Sequence, residues 1–119
     1  MKHIINCPAE RAIYFLGGKW KIRILFSLLN NKKIRFGELK KGLKTITQQM
    51  LSKQLKELET DGIVNRKVYQ VVPPKVEYSL TEFGTSVMPI LKSFSEWNKR
   101  NTRTIALKLN KHFEESRIR

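Results

Sequence analysis

The chain has 119 residues, 40% of them hydrophobic, and carries 24 Lys and Arg against 10 Asp and Glu, a formal net charge of +14. That length suits one domain with an ordinary small core and sets disorder aside. Charge of this size on so small a body repels itself unless a polyanion is near, so nucleic acid or an anionic membrane is the expected partner.

Pro8 fits the first turn of a helix, where its missing N–H does no harm, and predicts a first helix over about 8–16. Gly17-Gly18 breaks it. A second helix follows from Lys19 to Leu29, with Trp20, Ile24, Leu25 and Leu28 on its buried side. Asn30 to Lys33 reads as a turn and Ile34-Arg35 as a very short strand. Phe36 to Leu43 is a third, short helix with Phe36, Leu39 and Leu43 inward. Lys44-Thr45-Ile46 is a tight link, after which Thr47 is placed to cap a helix running to about Glu59.

That helix is two-faced. Met50, Leu51, Leu55 and Leu58 recur at three- and four-residue steps and form an apolar stripe. Gln48, Gln49, Ser52, Lys53 and Lys56 fall on the other side. Asp61-Gly62 ends the helix, glycine being free to take the left-handed conformation. A short helix, a tight turn and a second helix make a helix-turn-helix over about 36–61.

Two strand-like runs follow, Ile63 to Val72 and Lys75 to Leu80, joined through Pro73-Pro74 at a tip where no ladder donor is needed. They form a basic ribbon, a wing over about 63–80, with Arg66, Lys67 and Lys75 among its polar side chains. Thr81 caps a long helix with Phe83, Val87, Leu91, Phe94 and Trp97 on one face, and Pro89 should kink or interrupt it. Ile105, Leu109 and Phe113 lie four apart in a further helix. These terminal segments hold more apolar side chains than so small a domain can cover, so helices over about 8–16 and 81–113 read as a dimer interface. The fold class is mainly α with a small β-wing (α+β), a winged helix-turn-helix spanning 1–119 as a single domain.

Charge is concentrated where this architecture would use it. From Lys19 to Lys56 there are eleven basic residues and one acid, Glu38, a net of +10. For any one lysine a solvated surface is the bland reading, but for the block a polyanionic partner is the better one. Amide side chains pair bidentately with adenine and lysine reaches guanine or phosphate. Thr47, Gln48, Gln49, Ser52, Lys53 and Lys56 are therefore the candidate groove-facing residues of a recognition helix in double-stranded DNA. Arg66, Lys67 and Lys75 are candidates for phosphate or minor-groove contact. The competing reading is a winged-helix module for protein or RNA, without operator specificity. Such a module calls for an acidic or apolar recognition face, and this face is amide-rich and cationic.

Other chemistries find little support. His3 and His112 have no Cys or carboxylate at ligand spacing, so neither a metal nor another cofactor is expected. No phosphate loop, nucleophile elbow or carboxylate pair appears, which argues against an enzyme. Trp20 and Trp97 sit at helical apolar positions typical of core. No apolar run approaches the ~20 residues of a membrane span, and Met1 to Pro8 lacks a signal-peptide core. A single cysteine fits a reducing cytoplasm. Cys7 itself has two readings. Cysteine is often a small buried hydrophobe, yet at a helix N-terminus with Arg11 one turn on it has surroundings that favour a thiolate, which Glu10 opposes.

Several stretches together resemble the HxlR-type winged helix-turn-helix regulators, relatives of the MarR-like proteins. They are Cys7-Pro8, Gly17-Gly18-Lys19-Trp20, Arg35-Phe36-Gly37-Glu38-Leu39, Met50 through Gly62, Val72 through Thr81, and Trp97. The resemblance covers roughly Cys7 to Trp97 in matching order. It implies a homodimeric transcription regulator, more often a repressor, on a roughly palindromic operator. Several members sense electrophiles or oxidants through the cysteine that aligns with Cys7, which favours the sensor reading here. Two departures stand out. No second cysteine exists for a bridge between different positions, and the tail from Asn98 to Arg119 is longer and more basic than the family core requires.

Overall fold

The computed structural model describes residues 7–118. Its elements are α1 (Pro8–Leu16), α2 (Lys19–Asn30), β1 (Ile34–Arg35), α3 (Phe36–Leu43), α4 (Gln48–Thr60), β2 (Val64–Tyr69), β3 (Lys75–Leu80), α5 (Glu82–Thr85), α6 (Met88–Arg100) and α7 (Thr102–Ile118). The chain divides after Val87 into two compact units.

In the first unit, three helices close on one face of an antiparallel sheet of order β1-β3-β2. Ile24, Leu25 and Leu28 from α2, Leu39 and Leu43 from α3, and Leu51, Leu55 and Leu58 from α4 are buried together with Ile46, Ile63, Val64 and Tyr78. The three- and four-residue recurrence of these leucines is what makes each helix show one apolar side to the core. Trp20 and Phe36, expected inside, are half-buried. Trp20 lies at the margin, flanked by the Lys19 ammonium at 4.7 Å and the Arg23 guanidinium at 5.1 Å from its ring centre. α1 contributes no buried side chain and exposes Ile13, Tyr14 and Phe15.

Two expectations need correction. The first wing strand stops at Tyr69, not Val72. Past it the Val71 N–H turns back to the Tyr69 carbonyl (3.0 Å), and the two prolines that follow have no N–H to continue a ladder. Nor does Thr81 open a long helix. It caps the single turn α5, its Oγ1 accepting from the Gly84 N–H at 2.9 Å, and α6 starts afresh at Met88. The interruption expected from Pro89 is there, at Ser86-Val87, and Pro89 sits in the first turn of α6, where proline disturbs nothing.

Within the second unit, α6 and α7 join at Asn101, whose side-chain amide donates to the Trp97 carbonyl at 2.9 Å while the Thr102 hydroxyl donates to Asn98 at 3.0 Å. Trp97 is 58% exposed rather than core, and Ile90, Phe94, Leu109 and Phe113 are exposed as well. Among the described residues no helix is long and apolar enough to cross a membrane.

Candidate nucleic-acid interface

The recognition element is fixed at both ends by its own sequence. Thr47 Oγ1 accepts from the Met50 N–H at 3.1 Å, satisfying a free donor of the first turn. At the far end Gly62 takes φ 74°, its N–H bonds the Glu59 carbonyl (3.0 Å), and the Ile63 N–H reaches back to Leu58 (2.9 Å). That is a Schellman closure, and it leads straight into β2. The turn before α4 is set by Lys44 at φ 61° and anchored by buried Ile46. An ion pair from Lys21 on α2 to Glu57 on α4 (3.8 Å) ties the two helices at the surface.

With Leu51, Leu55 and Leu58 fully buried, the opposite side of α4 must face outward. Thr47, Gln48, Gln49, Ser52, Lys53 and Lys56 are all exposed. Lys53 and Lys56 also border a cleft of about 560 Å³ shared with Tyr14, Lys21, Glu57, Thr60 and Asp61.

The wing cations separate. Strand side chains alternate between faces, and the register pairs Arg66 with Tyr78 and Lys67 with Glu77. Arg66 therefore lies on the helix side, where it joins Ser52, Lys56, Glu59 and Tyr78 around a groove of about 340 Å³ between α4 and the ribbon. Lys67 and Lys75 lie on the other side. Both ammoniums stand over the Tyr69 ring, at 4.9 and 4.7 Å, and Lys75 pairs with Glu77 at 3.5 Å. A hydrogen bond from the Tyr69 hydroxyl, reinforced by Lys75 and Lys33, holds the Glu77 carboxyl below its ordinary range. The same hydrogen bond raises the Tyr69 phenol. Of the residues singled out in the sequence, the structure thus gathers Ser52, Lys56 and Arg66 and places Lys67 and Lys75 apart from them.

Comparison with known proteins agrees with this geometry. The model of the HxlR-like helix-turn-helix family matches residues 15–106. The chain belongs to the HxlR-like helix-turn-helix family. It is 49% identical over 95 residues to YdeP of Bacillus subtilis (strain 168), an uncharacterized HTH-type transcriptional regulator, covering 80% of this chain and 73% of that one. Among solved structures, the redox regulator HypR in its reduced form superposes with a TM-score of 0.79 at 46% identity, over 84% of this chain and 98% of the other. Reduced YodB, a transcriptional regulator from B. subtilis, gives 0.72 at 35% identity, over 84% and 98%. Regulators of this family bind DNA through the helix-turn-helix and are not enzymes, in line with the exposed amide face of α4.

The family match begins after Cys7. Cys7 is exposed at the N-cap of α1, and its carbonyl accepts the Arg11 N–H at 3.0 Å. His3 lies outside the described residues, and among those described no three His, Cys, Asp or Glu side chains gather as a metal site. Sequence reading passed over Lys33 and Arg35. The signal for Arg35 was its place in a two-residue strand, but only the β1–β3 pairing, which sets Arg35 opposite Glu77, reveals which wing face it joins.

Proposed function

We propose that this chain is a homodimeric transcriptional regulator that represses by occupying a palindromic operator, and that modification of Cys7 by an oxidant or electrophile releases it. The observation that carries the DNA reading is the groove shared by Ser52 and Lys56 of α4 and Arg66 of the wing, with Gln48 and Gln49 on the same exposed helix. Amides and hydroxyls read base edges while the cations of helix and wing hold phosphates on either side. Repression then requires nothing beyond occupancy.

The dimer rests on apolar surface. Ile13 and Phe15 of α1, Phe94 and Trp97 of α6, and Leu109 and Phe113 of α7 all face solvent in one copy. Two-fold pairing over such faces would set two recognition helices on half-sites about one DNA turn apart. The redox reading rests on exposed Cys7 at the start of α1 together with the likeness to HypR, a redox regulator. An adduct or a Cys7–Cys7′ bridge would disturb α1 and, through the dimer, the spacing of the two helices.

The test uses a duplex selected by the protein from a randomised pool, with an unselected duplex for comparison. Gln48→Ala or Gln49→Ala should cost about 1–3 kcal/mol on the selected duplex and little on the other. Equal losses on both would overturn base readout by α4. A protein that selects no sequence at all would be an interaction module rather than a regulator.

A further inference from the structure

The cleft of about 560 Å³ beside the recognition helix has a lining that base reading leaves unexplained. Its volume falls within the roughly 300–1,000 Å³ of small-molecule sites. Lys53, Lys56, Glu57 and Asp61 line it from α4, at steps that share one side of a helix. Tyr14 of α1 and Lys21 of α2 border the same space. The lining carries both signs of charge, and each sign has unused bonding capacity. Lys21 keeps only 12% of its side chain exposed, yet its ion pair with Glu57, at 3.8 Å, is longer than a hydrogen bond, so its three N–H donors stay available. Glu57 lies in the last turn of α4, Asp61 caps that turn, and no basic residue accompanies them there. Carboxylates at the negative end of a helix dipole are locally disfavoured and call for donors from outside the helix. Tyr14 is 58% exposed, so its ring is free to cover a ligand.

We propose that this cleft binds a phosphorylated sugar and that its occupancy opposes DNA binding. The ammoniums of Lys21, Lys53 and Lys56 suit a phosphate monoester, which carries about 1.5 to 2 negative charges at neutral pH. Glu57 and Asp61 accept hydrogen bonds from ring hydroxyls. The Tyr14 ring packs on the C–H face of the sugar. Other small anions fit less well. An aromatic acid brings its charge without donors and leaves two carboxylates unmet. A free amino acid brings one negative charge to three cations. Binding of the sugar phosphate stands on the cleft alone. Its effect on DNA rests on the recognition-helix reading above, since Lys53 and Lys56 belong to both surfaces. An ammonium held by the ligand's phosphate is withdrawn from the DNA backbone.

The experiment titrates the natural protein by calorimetry with glucose 6-phosphate, glucose 1-phosphate and fructose 6-phosphate. Glucose, inorganic phosphate and phenylalanine serve as controls. At least one sugar phosphate should bind about tenfold or more tightly than any control. Asp61→Asn and Tyr14→Ala, each alone, should weaken that binding about tenfold, the first by removing a charged acceptor and the second by removing the ring. Without ligand, Asp61→Asn should bind the selected duplex within about twofold of the natural protein, because Asp61 faces no phosphate. At saturating sugar phosphate the natural protein should lose about tenfold or more of its affinity for that duplex, and Asp61→Asn should lose far less. Several results would overturn the proposal: no binding by any of the three, inorganic phosphate binding as tightly as they do, phenylalanine binding more tightly, or binding with no effect on the duplex. A protein that binds the sugar phosphate through Asp61 yet selects no duplex would overturn the DNA reading and leave the ligand site standing.

Discussion

Gly84 gives the sharpest stability test. It is buried in α5, and a methyl group added there would overlap the Ile63 carbonyl oxygen, with the Ile63 carbonyl carbon at 3.1 Å and Cγ2 at 3.2 Å. Non-bonded atoms rest about 3.5–4.0 Å apart, and the overlapping oxygen is the limiting contact, so α5 must retreat by roughly 1 Å or more in Gly84→Ala. Overpacking of this kind costs about 1–3 kcal/mol. The retreat also strains Thr81, whose N–H and hydroxyl bond Ile63 and Gly62 and whose oxygen caps Gly84. Losing one such bond adds about 0.5–1.5 kcal/mol. The sum is about 2–4 kcal/mol, or a fall in Tm of roughly 10–25 °C. Gly42 is the control, because it lies in α3 with nothing within 4 Å of an added methyl. Gly42→Ala should gain about 0.5–1 kcal/mol from helix propensity alone. Urea unfolding of the three proteins decides the matter. A Gly84→Ala protein within about 0.5 kcal/mol of the natural one, or one that shifts in the same direction as Gly42→Ala, would refute the reasoning.

The wing should show its pH behaviour at both ends. Glu77 is lowered, so its contribution to wing order is present above the ordinary carboxylate pKa and lost as pH falls through its folded value. Tyr69 is raised from 10.0, so its contribution is present below that value and lost as pH rises through the folded one. Ultraviolet titration of Glu77→Gln should return the phenol toward 10.0, and an unchanged titration would remove Glu77 as the cause. Sedimentation at micromolar concentration should show a homodimer, and Phe94→Glu/Phe113→Glu should be monomeric with weakened operator binding. A natural protein that sediments as a monomer ends the dimer reading. Treatment with diamide or a quinone should release the natural protein from its selected duplex and spare Cys7→Ser. If both proteins respond alike, Cys7 is no sensor.

Helix ends were legible wherever a residue with restricted or special backbone chemistry marks them. Pro8, Gly17-Gly18, Thr47 and Gly62 bound α1, α2 and α4 where the sequence places them, and the leucine spacing gave the buried face of each helix. The break after Thr85 was legible only as an interruption due near Pro89, not in its position. Phe83, Val87, Leu91, Phe94 and Trp97 keep helical spacing across it, and nothing local shows that Gly84 must nestle against the Ile63 carbonyl. Within the interface, the exposed face of α4 followed from its stripe. By charge the wing cations form one group; by strand parity they form two. Arg66 and Lys67 are neighbours in sequence and so point to opposite faces, a consequence of strand geometry alone. The company Arg35 keeps needed tertiary pairing that no local pattern encodes.

The position of β2 in the sheet adds a demand on these same side chains. With order β1-β3-β2, its far edge pairs with no further strand among the described residues, and Val68 stands exposed on it. An edge of that kind recruits other strands unless charge keeps them off. Arg66 and Lys67 supply the charge. Stripping both would therefore invite strand addition between molecules as well as weaken DNA binding. An alanine scan of the wing should be read beside light scattering, because a protein lost to self-association looks the same in a binding assay as one that has lost its grip on phosphate. Arg66→Glu or Lys67→Glu keeps the edge charged while losing its attraction to phosphate, so it separates the two effects.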